Sequence, residues 1–276
     1  MGQINGGPVL GTLLDPTGDT QVRELSIALA GKNGAPVRFL SPRRTSDTTA
    51  QQTAPASASV SVSASASATT NGPPVRFASV ETTEQTGRPP ERIVTEEAAN
   101  ASADIVVVER SAAESAGWGI RRGLTDRIVA NAPTDSVVAN GQGDLSELAS
   151  ILVPVAGGPH SELAVEVACA LAEHTDAWVE LFTVIPENPT ADERSAGAES
   201  LARARQSADG FENLDTWLYE DDDPAMAIAE QSEYYDAVVM GAPTKGRIRR
   251  TVFGSTADSV DRSVDIPVIT AVSADR

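Results

Sequence analysis

Residues 238–256, with the sequence VVMGAPTKGRIRRTVFGST, contain the pattern that decides the fold. A short apolar run ends at Gly241, and the loop that follows carries basic residues but no Asp or Glu. Gly254-Ser255-Thr256 then leads into a segment of helical character, and residues 266–272 have the composition of another strand. Strand, glycine-containing loop, helix and strand in this order are typical of an open parallel sheet, where backbone N–H groups and a helix N-terminus can face an anion.

Composition narrows the classes of protein to which the chain can belong. Its 276 residues predict about two domains, and its hydrophobic content of 41% is sufficient for two cores. The formal net charge of -18 argues against nonspecific nucleic-acid binding, because phosphate backbones would be repelled. Lys32 and Lys245 are the only lysines, and Ala and Val take the place of bulky aromatic residues. This composition resembles that of proteins from extreme halophiles, in which molar salt screens self-repulsion; an ordinary acidic cytosolic protein is the alternative.

The sequence lacks motifs for membrane insertion, export, metal binding and covalent catalysis. No apolar run is long enough for a membrane helix, and residues 1–5 lack the basic start of a secretory signal. Cys169 is the only cysteine and is expected in a helical core, whereas His160 and His174 are expected to face solvent. There is no nucleophile elbow, Walker loop or catalytic triad. We therefore expect a cytoplasmic protein without a metal site and without catalytic residues.

Apolar runs in the first half of the chain predict alternating strands and helices. Helices are predicted from Asp19 or Thr20 to a stop at residues 31–34, from Pro89-Pro90 through Ala98, and after a loop that begins at Trp118. Residues 45–72 are rich in Ala, Ser and Thr and cannot bury enough apolar area to offset their ordering entropy. We interpret them as a flexible insertion, with a weak strand near Val60 and Val62 left open. Strands are predicted at residues 8–15, 36–40, 74–80, 104–109 and 136–139.

A second unit with the same order follows a linker at residues 140–144. Helices are predicted after Gly157-Gly158-Pro159, over residues 191–208, and after Asp223, which is expected to cap a helix with Pro224 at its first position. The run Asp221-Asp222-Asp223 is interpreted as a solvated helix N-terminus, with calcium binding as the alternative. Strands are predicted at residues 149–155, 178–184, 213–219, 236–241 and 266–272.

The two halves align as an internal repeat. Residues 104–109 match residues 236–241, and Gly123-Leu124-Thr125 matches Gly254-Ser255-Thr256. The repeat predicts two tandem α/β domains, over residues 1–141 and 147–276, with the insertion at about 45–72 in place of the second helix of the first domain. Alternation of strands and helices implies parallel sheets with right-handed crossovers.

The spacing of Gly241 and Gly254-Ser255 is similar to the nucleotide-binding signature of the universal stress protein family, and the resemblance covers nearly all of the chain outside the insertion. That signature has a glycine, two residues, a second glycine, nine residues and then Gly-Ser or Gly-Thr. Here Thr244 stands at the second glycine, and Gly246 follows two residues later. The resemblance implies two tandem Rossmann-like domains of the adenine nucleotide alpha hydrolase-like type, each a five-stranded parallel sheet flanked by helices. It also suggests the tandem-domain form of haloarchaea.

The resemblance also implies a site for ATP or AMP in the second domain. Lys245 and Arg247 would neutralise phosphates beside the loop amides, while a solvated basic turn is the alternative. Ser255 and Thr256 would donate hydrogen bonds to the nucleotide or simply cap a helix. The family's first strand ends in an aspartate near the nucleotide, and Ala156 stands at that position. The residues implied for nucleotide binding are Pro154, Val155, Gly241, Ala242, Lys245, Gly246, Arg247, Gly254, Ser255 and Thr256.

The first domain is expected to be degenerate. It keeps the aspartate, as Asp15, but Glu109 replaces the leading glycine and Leu124 replaces the serine. A carboxylate at a phosphate loop would repel the ligand, so this domain is expected to act as a packing partner. Because the family commonly dimerises through its last strand, the strands near Val137 and Val268 are expected to pair within one chain as a pseudo-dimer, with homodimerisation as a further option.

Three function classes remain. The first is a universal stress protein-like regulatory module that binds ATP or AMP and catalyses no reaction. The second is an interaction module without nucleotide, such as a cytoplasmic regulatory domain or partner of a membrane transporter. The third is an enzyme of the related adenine-nucleotide α-hydrolase type, for which the sequence offers no catalytic constellation.

Overall fold

The computed structural model describes residues 6–14, 20–43, 59–60, 80–86, 88–110, 123–140, 143–243, 260 and 263–274. The chain divides into two compact units. The first unit comprises residues 4–141 with 274–276, and the second comprises residues 142–273 with 1–3.

The first unit alternates strands with helices around a mostly parallel sheet. Its strands lie in the order β3-β4-β2-β1-β5-β6, and every neighbouring pair is parallel except β3 with β4. In chain order, its elements are β1 (Val9–Thr12), α1 (Thr20–Asn33), β2 (Val37–Arg43), β3 (Ser59–Val60), β4 (Val80–Thr86), α2 (Pro90–Asn100), β5 (Ile105–Glu109), α3 (Leu124–Asn131) and β6 (Asp135–Ala139).

Burial explains why the central strands of this unit read as continuous apolar runs. All four residues of β1 and the first four of β5 are buried, as expected for parallel strands that are covered on both faces. On one face, Leu10 and Val106 pack with Ile93 of α2 and Ile128 of α3. The helix predicted to stop at residues 31–34 ends at Asn33, and Gly34 follows with a φ of 62°, which glycine adopts without strain.

The insertion in the first unit differs from the prediction. Ser59–Val60 form β3 at the edge of β4, so the described part of this sheet has six strands where five were predicted. This is the weak strand that the sequence left open near Val60, and the rest of residues 45–72 lies outside the described residues. β4 (Val80–Thr86) continues past residue 80, where the strand predicted at residues 74–80 was expected to end, and residues 74–79 lie outside the described residues. Pairing with β2, in register from Val37↔Val80 to Arg43↔Thr86, fixes its position in a stretch that has no apolar pattern.

The second unit is the five-stranded parallel sheet that the sequence predicts. Its strands lie in the order β11-β10-β7-β8-β9, and all neighbouring pairs are parallel. The α/β fold class is thereby confirmed. The elements are β7 (Ser150–Pro154), α4 (Pro159–Thr175), β8 (Trp178–Ile185), α5 (Ala191–Ser207), β9 (Leu214–Glu220), α6 (Pro224–Ser232), β10 (Ala237–Gly241) and β11 (Val268–Val272).

Two local predictions for the second unit are confirmed. The Asp223 side chain caps α6, accepting hydrogen bonds from Ala225 N and Met226 N at 3.1 Å each. Cys169 is fully buried within α4, so it serves as a small core side chain. A second helix cap was not predicted: Thr190 precedes α5 and forms a capping box with Glu193. The pKa of Glu193 is lowered mainly by the hydrogen bond from the Thr190 backbone, and also by the one from the Thr190 side chain.

The internal repeat is visible as one contact that both units share. In the second unit, one carboxylate oxygen of Asp236 accepts hydrogen bonds from Ala149 N at 3.0 Å and from Ser150 N at 2.9 Å. In the first unit, Asp104 Oδ2 accepts from Gly7 N at 2.6 Å. In each unit, the aspartate just before β5 or β10 therefore accepts hydrogen bonds from the backbone at the start of the first strand, β1 or β7. Alignment of the repeat alone did not reveal this role.

Candidate functional site

In the described sheet of the second unit, the connections between strands run in opposite directions on the two sides of the first strand, β7. The first strand, β7, lies between β8 and β10, so the chain proceeds to one side of β7 first and reaches the other side only later. The order therefore reverses between β7 and β10, which pair through Ala237↔Ile151 and Val238↔Leu152. In open parallel sheets, the crevice beyond the carboxyl ends of the strands at such a switch point is where ligands bind.

Pro154 and Val155 form the β7 side of this crevice and are buried. Val155 N donates to Phe182 O at 2.7 Å, and Val155 O accepts from the Thr183 hydroxyl at 2.9 Å. Their backbone is thus held by β8, and their side chains belong to the core. Ala156 is the first exposed residue after β7, and it carries a methyl group where the resemblance implies a carboxylate.

Gly241 and Ala242 form the β10 side. Ala242 is buried, and its N–H donates to Ala271 O of β11 at 2.8 Å. A Cβ on Gly241 would lie 2.6 Å from the carbonyl carbon of His160 and 2.8 Å from Ser161 N. Those atoms belong to the backbone of the first turn of α4, so glycine is required here for close packing of strand on helix. The sequence predicted a close approach at Gly241 but left open what approaches it.

The chain enters α4 through two consecutive glycines in the left-handed region. Gly157 has a φ of 85° and Gly158 a φ of 86°, and Pro159 follows as the first helical residue. The Ser161 hydroxyl closes the turn, because it accepts from Ala156 N and donates to Gly157 O, both at 3.3 Å. Sequence reasoning missed Ser161, although a serine soon after a Gly-Gly-Pro turn is a signal that could have found it.

Neither histidine is freely solvated, which corrects the expectation from sequence. His160 is half-buried, and its Nδ1 accepts a hydrogen bond from Ser273 N at 2.9 Å, just after β11. His174 is half-buried near the end of α4, and its burial lowers its pKa. Within the part of the chain that the structure describes, no group of three or more His, Cys, Asp or Glu side chains could hold a metal ion.

Arg203 of α5 places a cationic side chain near the β7 side of the crevice, and it was not predicted from the sequence. Its Nη2 lies 3.8 Å from the position that a Cβ on Gly157 would occupy, and the Ser200 hydroxyl lies 3.5 Å from the same position. By contrast, Arg194 near the start of α5 is paired with Glu220 at 2.6 Å. Nothing in the sequence places residue 203 beside residue 157, because the contact depends on how α5 packs against α4.

The match to a family model settles what kind of domain this is. Residues 148–271, from just before β7 to within β11, match the model of the Universal stress protein family. The second unit is a universal stress protein domain.

Solved structures share the fold of the chain. A universal stress protein from Archaeoglobus fulgidus DSM 4304 aligns with a TM-score of 0.59 and 14% identity, over 100% of this chain and 99% of that chain. A functionally unknown protein from Pseudomonas aeruginosa PAO1 aligns with a TM-score of 0.59 and 13% identity, over 99% and 94%. At these identities, the likeness is one of fold. No curated protein matches the chain.

The remaining site residues of this universal stress protein domain lie outside the described residues. They are Lys245, Gly246, Arg247, Gly254, Ser255 and Thr256, together with Thr244, which replaces the second glycine of the signature. Their part in binding stays a prediction. The described crevice brings together Pro154, Val155, Gly241 and Ala242 of the predicted set.

The first unit has carboxylates at the corresponding positions. Glu109 ends β5, and its backbone oxygen accepts from the Thr125 hydroxyl of α3 at 3.4 Å. The Asp126 carboxylate accepts from Gly123 N at 3.3 Å, so the start of α3 already has an anionic partner within its own chain. A bound phosphate at this helix end would be repelled by Asp126.

None of the described helices is both long and apolar enough to span a bilayer.

Proposed function

We propose that the second unit binds an adenine nucleotide, ATP or AMP, in the crevice beyond the carboxyl ends of β7 and β10. The observation that carries this proposal is the reversal of strand order between these two strands, because an open parallel sheet exposes loop amides and helix N-termini to a ligand at that point. The universal stress protein match over residues 148–271 supports the same site.

In this proposal, each residue of the crevice has a defined task. Val155 and Ala242 supply a rigid floor, since the backbone of each is hydrogen-bonded to a neighbouring strand. Gly241 holds β10 against the first turn of α4, so the two sides of the crevice stay at a fixed separation. Lys245 and Arg247 are placed by sequence in the loop that follows β10, where their charges would neutralise phosphates in an otherwise acidic chain.

The nucleotide is expected to act as a signal rather than a substrate. No catalytic constellation is present in the sequence, so a change of occupancy would be reported through a partner surface of a stress-responsive regulatory module. Incubation of the purified protein with ATP, followed by separation of the products, tests this: turnover that copurifies with the protein and disappears in Gly254→Glu would show that the module is an enzyme.

Calorimetric titration with ATP and AMP at high salt tests binding. Wild type is expected to bind, and Gly254→Glu to bind weakly or not at all, because a carboxylate beside the phosphates repels them. Gln206→Glu is the matched control, since it adds the same charge at an exposed position of α5. Equal affinities of all three proteins would discredit the site, and absence of binding by wild type would refute the proposed function.

A second candidate function is favoured by one observation, the methyl group of Ala156 where the family has a carboxylate. In this reading, the protein is a cytoplasmic interaction module that binds no nucleotide, for example a partner of a membrane transporter. Mass spectrometry of the protein as purified separates the two candidates. Retained nucleotide supports the first, whereas its absence together with specific copurification of a transporter supports the second.

Both candidate functions are compatible with self-association through the last strands of the two units. β6 and β11 are the last strands of their units in chain order, and we propose that they pair with each other within the chain; pairing of these strands between two chains, as a homodimer, is the alternative. Light scattering of wild type and of a variant with Thr270→Pro in β11 tests the homodimer. A dimer in wild type that the proline leaves unchanged would show that another surface is used.

A further inference from the structure

Aromatic side chains are concentrated on one face of the second unit's sheet. The chain has only 5 Phe, 3 Tyr and 3 Trp residues. Gly197 of α5 packs against Ile185 of β8 and Leu218 of β9, so α5 covers the face to which these two side chains point. Because side chains alternate along a strand, their neighbours in β8 and β9 point to the opposite face. The aromatic side chains on or against that opposite face, which we call the aromatic face, are Trp178, Phe182, Trp217, Tyr219 and Tyr235.

The rings of the aromatic face pack in two groups and stay partly open to solvent. The ring centroid of Trp217 lies 5.3 Å from that of Phe182 and 5.2 Å from that of Tyr219. Trp178 stacks on Tyr235, with 6.2 Å between ring centroids. Only Phe182 is buried, and β9 is the outermost strand of the described sheet. Aromatic side chains that are packed on one side and exposed on the other are typical of protein interfaces.

Two carboxylates lie side by side within the aromatic face. Glu180 of β8 and Asp215 of β9 are paired residues of adjacent strands, so their side chains point to the same face. Adjacent strands are about 4.8 Å apart, so the two negative charges repel each other. The Tyr235 hydroxyl donates to Glu180 Oε2, and Thr216 N donates to Asp215 Oδ1 at 2.8 Å, but these neutral donors leave both charges in place. A cation between the two carboxylates would relieve the repulsion.

The stretch of chain that forms much of this surface is acidic throughout. Residues 206–244, which include β9 and α6, contain ten Asp or Glu residues and no Lys, Arg or His. All three tyrosines of the chain and Trp217 fall within the same stretch. A solvated acidic surface explains the charge but not the aromatic side chains, because partly exposed rings lower solubility. The combination favours a surface that binds a positively charged partner.

We propose that the aromatic face binds an arginine-containing segment of a partner protein. A guanidinium stacks on Trp and Tyr rings and presents its N–H donors in a planar fork that suits carboxylates, whereas the ammonium of lysine is more strongly hydrated. A second copy of this face fits poorly, because it would bring Glu180 and Asp215 against the same carboxylates. The proposal deepens both candidate functions, each of which requires a partner, and it does not depend on nucleotide binding.

Fluorescence anisotropy with a labelled peptide of alternating Arg and Ala residues tests the proposal, and a peptide of alternating Lys and Ala is measured beside it. KCl at about 0.3 M shortens the Debye length to about 6 Å, so that distant charges of the acidic chain contribute little. The proteins are wild type, Asp215→Asn, Trp217→Leu and Asp192→Asn. Asp192 is the matched control, because it is an exposed aspartate on α5, over the opposite face of the sheet.

Wild type is expected to bind the arginine peptide, and to bind the lysine peptide about threefold more weakly. Asp215→Asn should weaken binding of the arginine peptide about threefold, since it removes one of the two opposed charges. Trp217→Leu should weaken it about threefold to fivefold, since leucine is apolar but has no π face for the guanidinium. Asp192→Asn should bind as wild type does.

Four results would overturn the proposal. Wild type fails to bind the arginine peptide, whatever the nucleotide titrations show. Asp215→Asn and Asp192→Asn bind equally, so that net charge alone attracts the peptide. The lysine peptide binds as tightly as the arginine peptide and Trp217→Leu has no effect, so that the rings make no contact. Light scattering without peptide finds a wild-type dimer that Trp217→Leu disrupts, so that a second copy covers the face.

The Asp215 variant keeps the test decisive if Trp217→Leu does not fold, which circular dichroism of each protein shows. Asp215 is exposed, and asparagine retains an oxygen that can accept from Thr216 N. The difference between Asp215→Asn and Asp192→Asn then decides the proposal alone.

Discussion

Replacement of Gly241 by alanine tests whether the crevice is built on the contact between β10 and α4. A Cβ at this position would lie 2.6 to 2.8 Å from three backbone atoms of His160 and Ser161, where an ordinary contact begins at 3.4 Å. Either β10 or the first turn of α4 must then move by about 0.6–0.8 Å, because these atoms cannot rotate away as the end of a side chain can. Such overpacking costs about 1–3 kcal/mol.

Urea unfolding followed by tryptophan fluorescence measures this cost. Trp178 and Trp217, two of the three tryptophans, lie in the second unit within aromatic contacts and report on its unfolding. Gly241→Ala is expected to lower the free energy of unfolding by about 2 kcal/mol and the Tm by roughly 4–10 °C. Nucleotide affinity should fall as well, since the two sides of the crevice would move apart.

Gly197→Ala is the matched control for this substitution. A Cβ on Gly197 would meet Leu218 Cδ1 at 2.7 Å and Ile185 Cγ2 at 2.8 Å, the ends of side chains that can adjust. Alanine also has a higher helix propensity than glycine by about 1 kcal/mol, which offsets part of the strain. If Gly241→Ala proves as stable as wild type, or more stable than Gly197→Ala, the close strand–helix contact does not exist as described.

Four further predictions follow from single residues or from charge. Thr12→Val should stabilise the first unit by about 1 kcal/mol in denaturant unfolding, because the fully buried Thr12 hydroxyl has no hydrogen-bond partner within the described residues; a loss of stability would show that a partner exists. Asp236→Ala should destabilise the second unit by about 1–2 kcal/mol, and Asp236→Asn by less, since its amide oxygen can still accept from Ser150 N; equal losses in the two variants would contradict this. Burial lowers the pKa of His174, so the unfolded chain binds a proton at this side chain more readily than the folded chain does. The free energy of unfolding is therefore highest above about pH 6.5 and falls as the pH drops towards the lower folded pKa. His174→Gln should flatten this part of the curve of stability against pH. Raising KCl from about 0.1 to about 1 M should raise the Tm, because the shorter Debye length screens the net charge of -18, whereas an unchanged Tm would argue against salt adaptation.

Most of the fold could be predicted because the pattern of apolar runs was set by burial. β5 and β10 were predicted as strands from their apolar runs, which arise because most of their residues are covered on both faces. Asp223 and Pro224 marked the start of α6 through local chemistry alone. Residues 81–86 of β4 were not predicted as a strand, for the opposite reason. Its position depends on hydrogen bonding to β2, and its sequence VETTEQT has no apolar face that would reveal this.

The candidate site could be predicted only in part, because its walls come from different elements. The sequence indicated Gly241 through its spacing to Gly254, but it could not show that the atoms near Gly241 are the backbone of α4. Arg203 lies 46 residues from Gly157 in sequence, and only the packing of α5 against α4 brings them together. Likewise, His160 was expected in solvent, although its Nδ1 accepts from Ser273 N, 113 residues later. Such contacts leave no periodic signal in the sequence.

The contrast between the two units shows that one topology tolerates opposite charge at the ends of its strands. In the first unit, Glu109 stands where the second unit has Gly241. The Asp126 carboxylate accepts the hydrogen bond from Gly123 N at the start of α3. In the second unit, β7 ends at Pro154 and β10 ends at Gly241, neither of which carries a carboxylate, and Arg203 lies near the turn after β7. The fold depends on buried apolar strands that both units keep, so these polar positions could diverge without cost to the core. Anion binding is therefore expected in one unit only, and a chain with a single site can respond to a ligand in one half while the other half remains constant.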